Sequence, residues 1–103
     1  MPNPCLFSPR NLQHEFTNHA PDFGIAGSWN KIRERSFKQA ILAHVAGAPQ
    51  QISGTFRGTI LVTHYFEPAT SLWVAVDHSD KFVAGWKLYP TQIVNLLTTG
   101  DIR

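Results

Sequence analysis

The chain has 103 residues, which is enough for one domain with a modest hydrophobic core. Its 43% hydrophobic and 12% aromatic residues are typical of a globular protein and exclude a disordered one. Nine Lys and Arg against seven Asp and Glu give a formal net charge of only +2, which is compatible with a nucleic-acid partner without indicating one. The apolar stretches are far shorter than the ~20 residues that a membrane span needs, and the N-terminus lacks a signal-peptide pattern.

The first segment, residues 1–7, contains two prolines and is expected to form an extended arm. The single cysteine, Cys5, excludes an internal disulfide and a multi-cysteine zinc site, and we expect it to have no special role.

Three helices are predicted. The first begins at Ser8, a capping residue followed by proline, and runs from about residue 9 to residue 17, before Pro21. The second is expected to be capped by Ser28 and to end at Gly47, with an apolar face at 3.6-residue spacing that includes Ile32 and Phe37. The third follows Pro90 and is stopped by glycine.

Four short runs rich in β-branched and aromatic residues follow the second helix, at residues 51–57, 59–66, 72–77 and 81–88. Glycine, proline, serine and aspartate in the short connections are typical of turns, and connections this short favour antiparallel pairing. The sequence therefore predicts an α+β fold in which N-terminal helices pack on a small antiparallel sheet of four to five strands, followed by a C-terminal helix.

Several enzyme classes are excluded by the absence of their motifs. The chain has no glycine-rich phosphate loop, no HExxH pair and no serine in a glycine-flanked nucleophile motif. The seven carboxylates are scattered, which disfavours a two-metal nuclease, and His14 and His19 alone make a weak zinc pair. We therefore expect neither a metal nor another cofactor.

Histidines and cations remain as the candidate chemical groups. Metal-free RNA cleavage needs a base for the ribose 2′-hydroxyl, an acid for the leaving 5′-oxygen, and donors that stabilise the charged phosphorane. DNA lacks the 2′-hydroxyl, so it is not an expected substrate. Taken singly, the histidines stay ambiguous: His44 on the apolar helix face favours a hydrogen-bonded core residue, while His64 and His78 are as often ordinary as functional.

Five ordered blocks resemble the colicin D nuclease family. They are HAPDFGI at residues 19–25, FKQAILAH at 37–44, the pair GTFR at 54–57 and YFEPAT at 65–70, GWK at 85–87, and TG at 99–100. Each block is weak alone, but their order and spacing match the family over residues 19–102.

The resemblance implies a bacterial toxin domain, covering residues 19–103 after an arm and short helix at 1–18, with a fold related to RelE-like and barnase-type ribonucleases. It implies metal-independent cleavage of tRNA in the anticodon loop, leaving a 2′,3′-cyclic phosphate. His19, first in its block, would be the catalytic residue, and Trp86 of the GWK block would lie near it. We count Trp86 and the adjacent Lys87 with His19 as the catalytic candidates. A cognate immunity protein or antitoxin would cover the site, and the domain would act in the bacterial cytoplasm, either free-standing or delivered by a larger secreted toxin.

The chain also departs from the family pattern. Lysines that directly precede the family's histidine are replaced by residues 16–18, FTN, and a serine before the GWK block is replaced by Ala84. The candidate cations for RNA binding in their place are Lys87, Lys81, Arg57 and Arg33.

Three of these residues keep two interpretations. Arg33 either contacts phosphate or lays its stem along the apolar helix face, with its charge in water. Trp86 is either a core residue or a platform for an unpaired base, and Asp22 either orients His19 or caps a turn. For the whole chain, the alternative to an enzyme is a non-catalytic RNA-binding or regulatory module of the same fold; a plain interaction domain that docks an acidic partner is a weaker third possibility.

Overall fold

The structure, a computed structural model, describes residues 6–103. The arm expected at residues 1–7 therefore lies mostly outside the described residues, as does Cys5. The elements in chain order are α1 Pro9–His19, a 3₁₀ turn Ala20–Phe23, α2 Lys31–Gly47, β1 Gln50–Phe56, β2 Ile60–Glu67, β3 Leu72–Asp77, β4 Phe82–Lys87, α3 Pro90–Thr99 and β5 Asp101–Ile102. The predicted α+β class is confirmed.

The N-cap of helix α2 lies two residues later in the chain than expected. Asn30, not Ser28, is the N-cap, and its side-chain oxygen accepts a hydrogen bond from the Arg33 amide at 2.8 Å. The buried stripe of the helix is Phe37, Ile41 and Val45. Ile32 was predicted on this face but is 74% exposed, because it lies five residues before Phe37, which is ~140° around the helix.

The five strands form one sheet in the order β4-β3-β2-β1-β5. The first four strands pair antiparallel as predicted, whereas the two-residue β5 pairs parallel to β1 through Thr55↔Asp101 and Phe56↔Ile102. The sheet is therefore mixed and not purely antiparallel. Strand β5 was not predicted because so short a strand carries no periodic signal.

The sheet is curled, and aromatic side chains line its concave side. Phe56 of β1 and Trp86 of β4 lie 6.2 Å apart between ring centroids, although two strands separate them in the sheet. In a flat sheet those strands would be ~14 Å apart. The curl therefore brings the hairpin after β1 close to the edge strand β4.

Each face of the sheet has its own hydrophobic core. Helices α1 and α2 cover one face, where Leu12, Phe16, Phe37 and Ile41 pack against Val74 and Phe82. Helix α3 and β5 close the concave face, where Leu96 and Ile102 pack with Phe66 and Trp73. No helix among residues 6–103 is both long enough and apolar enough to span a membrane.

Candidate active site

His19 lies against Trp86 where α1 meets the edge of the sheet. His19 is the last residue of α1 and is half-buried, and its ring centroid lies 5.0 Å from that of Trp86, with the ring planes 35° apart. The structure thus brings together the two residues that the family resemblance placed at the site.

Trp86 is held from two further sides. It pairs directly with Trp73 across β3 and β4, with ring centroids 4.6 Å apart at 65°. Its indole Nε1–H donates to Gln92 Oε1 at 3.2 Å, and the same oxygen accepts from the Tyr89 amide at 2.9 Å. These contacts hold the Trp86 ring in place, and the His19 imidazole packs against it.

A cleft of about 280 Å³ opens beside this pair. Its lining comes from α1, from the β1–β2 turn and from β4, and consists of Asn11, His14, Glu15, Phe56, Arg57, Val83, Ala84 and Trp86. Of the four candidate cations, Arg57 is the one whose side chain lines this cleft. Its guanidinium lies 5.1 Å from the centroid of the Phe56 ring, and its backbone has a positive φ of 55°.

Glu15 is a buried carboxylate inside this cleft. It is only 6% exposed, and its Oε1 accepts a hydrogen bond from the Gly85 amide at 3.1 Å. Burial raises the pKa of Glu15, while the Gly85 amide and the charges of His19, His14 and Arg57 oppose the rise. The charges of the two imidazoles and the guanidinium therefore all act on the Glu15 carboxyl group in the same direction.

Polar side chains from α1 and the following 3₁₀ turn cover the outer edge of β4. Asn11 Nδ2 donates to the carbonyls of Phe82 and Val83, both at 3.1 Å, Glu15 accepts from Gly85, and Asp22 Oδ2 accepts from the Lys87 amide at 3.0 Å. Edge strands expose backbone groups that need partners, and these side chains supply them. The contact that the structure gives Asp22 is thus to Lys87, with the carboxylate capping the strand.

The remaining candidate cations, Lys81, Lys87 and Arg33, do not line the cleft. Lys81 precedes β4 and Lys87 ends it, so ~20 Å of strand separates them. The Lys87 side chain borders a second groove, together with Phe23, His44 and Thr70. Arg33 donates from Nη1 to the Ser28 carbonyl at 3.1 Å and packs over Gly27, where an added Cβ would lie 2.5 Å from the guanidinium carbon. Arg33 thus braces the loop before α2.

Two other histidines have structural partners. His64 is fully buried, its Nδ1 accepts from Trp73 Nε1 at 2.9 Å, and its Nε2 donates to the Gly100 carbonyl at 2.8 Å. Burial lowers the pKa of His64. His44 Nε2 donates to the Tyr65 carbonyl at 2.8 Å, so the expected hydrogen bond is present, but His44 is half-buried at the second groove and not in the core. Within residues 6–103, no group of three or more His, Cys, Asp and Glu side chains is placed to hold a metal ion.

Comparisons with known proteins agree with this architecture. The colicin D family model matches residues 11–96. A solved structure, described as a ribonuclease from Escherichia coli complexed with its inhibitor protein, is 29% identical, has a TM-score of 0.74, and covers 88% of this chain and 99% of its own. No curated protein matches the chain. The family match begins within α1 and ends within α3, so it contains His19, Trp86 and every residue that lines the cleft. The chain therefore belongs to the colicin D family.

Proposed function

We propose that this domain is a toxin ribonuclease that cleaves tRNA, in the anticodon loop, without a metal ion. The observation that carries the proposal is the placement of His19 on Trp86 beside a cleft that contains Arg57 and Glu15. The similarity to a ribonuclease over most of both chains supports the reaction class. The tRNA substrate and the anticodon loop rest on the family resemblance alone.

In the proposed reaction His19 takes the proton of a ribose 2′-hydroxyl. The 2′-oxygen then attacks the adjacent phosphorus, the bond from phosphorus to the 5′-oxygen breaks, and the leaving oxygen takes up a proton. The products are a 2′,3′-cyclic phosphate and a 5′-hydroxyl end. Because the attacking group is the 2′-hydroxyl, the reaction is restricted to RNA.

Arg57 is the proposed source of positive charge in the cleft. The lysines that precede the family's histidine are absent here, and Phe16, at one of those positions, is buried between Trp29 and Phe37. Arg57 projects into the same cleft from the β1–β2 turn and is free of ion pairs among the described residues. A guanidinium in this place stabilises the extra charge that develops on the phosphoryl oxygens.

We also propose that a cognate inhibitor protein covers this face and that the domain acts in the bacterial cytoplasm. The similar Escherichia coli ribonuclease is described in complex with its inhibitor, which supports such a partner.

The decisive experiment compares His19→Ala with the unaltered protein on total tRNA, with mapping of the new 3′ ends. Loss of a proton carrier lowers the rate by ~10²–10⁴-fold, so His19→Ala should leave tRNA intact while melting at the same temperature. His78→Ala, in the exposed β3–β4 turn, is the matched control and should cleave normally. Full activity of His19→Ala would refute the assignment, and strong inhibition by EDTA would refute metal independence.

The same assay tests a non-catalytic RNA-binding module, which the missing lysines and serine favour. Such a module would retard tRNA in a gel, in a salt-dependent way, without producing new ends.

A further inference from the structure

Glu15 is a buried acid in the cleft, and the reaction proposed above leaves one proton transfer without a donor. His19 removes the 2′-hydroxyl proton, but the departing 5′-oxygen also needs one. Oε1 of Glu15 accepts a hydrogen bond from the Gly85 amide, whereas Oε2 makes no hydrogen bond within residues 6–103. Since no fully buried side-chain oxygen of the described residues lacks a partner, Oε2 is accessible, and Glu15 lines the cleft.

Covering the edge of β4 does not require an ionisable group at this position. Asn11, one turn earlier on α1, hydrogen-bonds to the same strand edge with an amide side chain. A glutamine at position 15 would accept the Gly85 hydrogen bond equally well and avoid the cost of burying a carboxylate. The carboxyl group at 15 therefore has a property that strand capping does not use, namely its proton.

The surroundings of Glu15 favour a neutral acid that becomes an anion during turnover. Burial raises its pKa and so increases the protonated fraction before the reaction. The titratable groups that face it are His14 and His19 of α1 and Arg57 of the β1–β2 turn, while the adjacent part of β4 contributes Ala84, Gly85 and Trp86, which do not titrate. Once the proton has left, these cationic neighbours stabilise the carboxylate.

We propose that Glu15 is the second catalytic residue, the acid that protonates the departing 5′-oxygen; this inference rests on the proposed ribonuclease function. As the bond from phosphorus to the 5′-oxygen breaks, the Glu15 proton passes to that oxygen while His19 holds the proton from the 2′-hydroxyl. The step ends with a cyclic phosphate, a 5′-hydroxyl, a carboxylate and an imidazolium. Proton transfer from the imidazolium to the carboxylate, directly or through water, restores the starting state.

The first part of the test is Glu15→Gln, which keeps an acceptor for the Gly85 amide but has no proton to give at this position. We expect its cleavage rate on RNA to fall by ~10²–10⁴-fold, with a melting temperature no lower than that of the unaltered protein. Glu34→Gln, on the exposed side of α2, is the matched control and should cleave like the unaltered protein.

The second part uses RNA in which sulfur replaces the bridging 5′-oxygen at the cleaved linkage. A thiolate leaves without protonation because a thiol, with a pKa of roughly 8.5, is far more acidic than an alcohol. Glu15→Gln should therefore cleave the sulfur substrate at a rate close to that of the unaltered protein, whereas His19→Ala should stay slow on both substrates.

Each other outcome overturns the inference. If Glu15→Gln is fully active on normal RNA, Glu15 has no part in the reaction. If it is equally slow on both substrates, Glu15 only positions other groups, and if sulfur rescues His19→Ala instead, the two residues have the opposite roles. If the unaltered protein cleaves neither substrate, the ribonuclease proposal fails and this inference fails with it. In every other case the ribonuclease activity stands and the role of Glu15 is lost, together with that of His19 as the base if the two roles are exchanged.

Discussion

The buried hydrogen bonds of His64 predict that acid destabilises the fold. Its Nδ1 accepts from the Trp73 indole and its Nε2 donates to the Gly100 carbonyl, an arrangement that only the neutral ring with its proton on Nε2 satisfies. A proton on Nδ1 would break the hydrogen bond from Trp73, because two N–H donors, Nδ1 of His64 and Nε1 of Trp73, would then face each other. Burial accordingly lowers the pKa of His64.

The size of the effect follows from linkage between protonation and folding. Above a pH of about 6.5 the ring is neutral in both the folded and the unfolded chain, so stability does not depend on it. Below that pH the unfolded chain takes up a proton that the folded chain does not. The free energy of unfolding then falls by up to ~1.4 kcal/mol per pH unit until the lowered pKa of the folded state is reached. The loss between pH 6.5 and pH 5 is thus at most ~2 kcal/mol.

Urea denaturation followed by tryptophan fluorescence measures this loss, at several pH values from 7.5 to 5. His64→Gln places a side chain that both accepts and donates but does not titrate, and it is expected to be less stable at pH 7.5. The stability gap to the unaltered protein should narrow as the pH falls, because only the unaltered protein loses the His64 contribution. The comparison also cancels the opposite effect of Glu15, whose raised pKa favours the folded state in acid. Parallel stability curves from pH 7.5 to 5 would refute the reasoning.

Two further predictions concern the cation and the closure of the sheet. Arg57→Gln should lower the single-turnover rate of tRNA cleavage, measured at saturating protein, on the order of 10²-fold. Arg35→Gln, on the exposed side of α2, is the control and should leave the rate unchanged. Equal rates for the two variants would contradict the role of Arg57. Gly54→Ala should lower the free energy of unfolding, measured by urea denaturation, by ~1–3 kcal/mol, because the added Cβ would lie 1.9 Å from the Gly100 carbonyl oxygen. Gly47→Ala is the control: its Cβ would have no atom within 4 Å, so no loss of stability is expected. If both alanine variants unfold at the same urea concentration as the parent, β5 does not depend on this close approach.

Local signals in the sequence predicted the elements well because the elements depend on neighbours in the chain. Turn residues and β-branched runs placed the ends of β1 to β4 to within one residue, and proline and glycine marked the ends of α1 and α2. The start of α2 was misplaced because Ser28 and Asn30 are both good capping residues, and local sequence does not choose between them.

Among the residues of the candidate site, the sequence predicted only those that belong to a family motif. Glu15 and Gln92 were missed because their importance comes from long-range contacts, with Gly85 in one case and Trp86 in the other. The signal available for Glu15 was its spacing: Asn11 and Glu15 are four residues apart and therefore lie on one face of α1. Using that signal requires knowing that β4 is an edge strand with backbone groups to satisfy.

The place of the proposed cation, Arg57, also could not be predicted from local sequence, because it depends on the shape of the sheet. Local sequence placed Arg57 at the end of the first strand, whereas in the structure it follows β1, in the β1–β2 turn, with a positive φ. Its place in the cleft beside Trp86 depends on the curl that packs Phe56 against Trp86. In our proposal Arg57 supplies, from another element, the charge that a lysine before His19 would give, while Phe16, at one of the lysine positions, fills the core between α1 and α2. Because the base and the cation then lie on separate elements, loosening the hairpin should impair catalysis without moving His19. The short motif around His19 therefore identifies the proposed base, whereas the proposed cation, Arg57, can be identified only from the folded sheet.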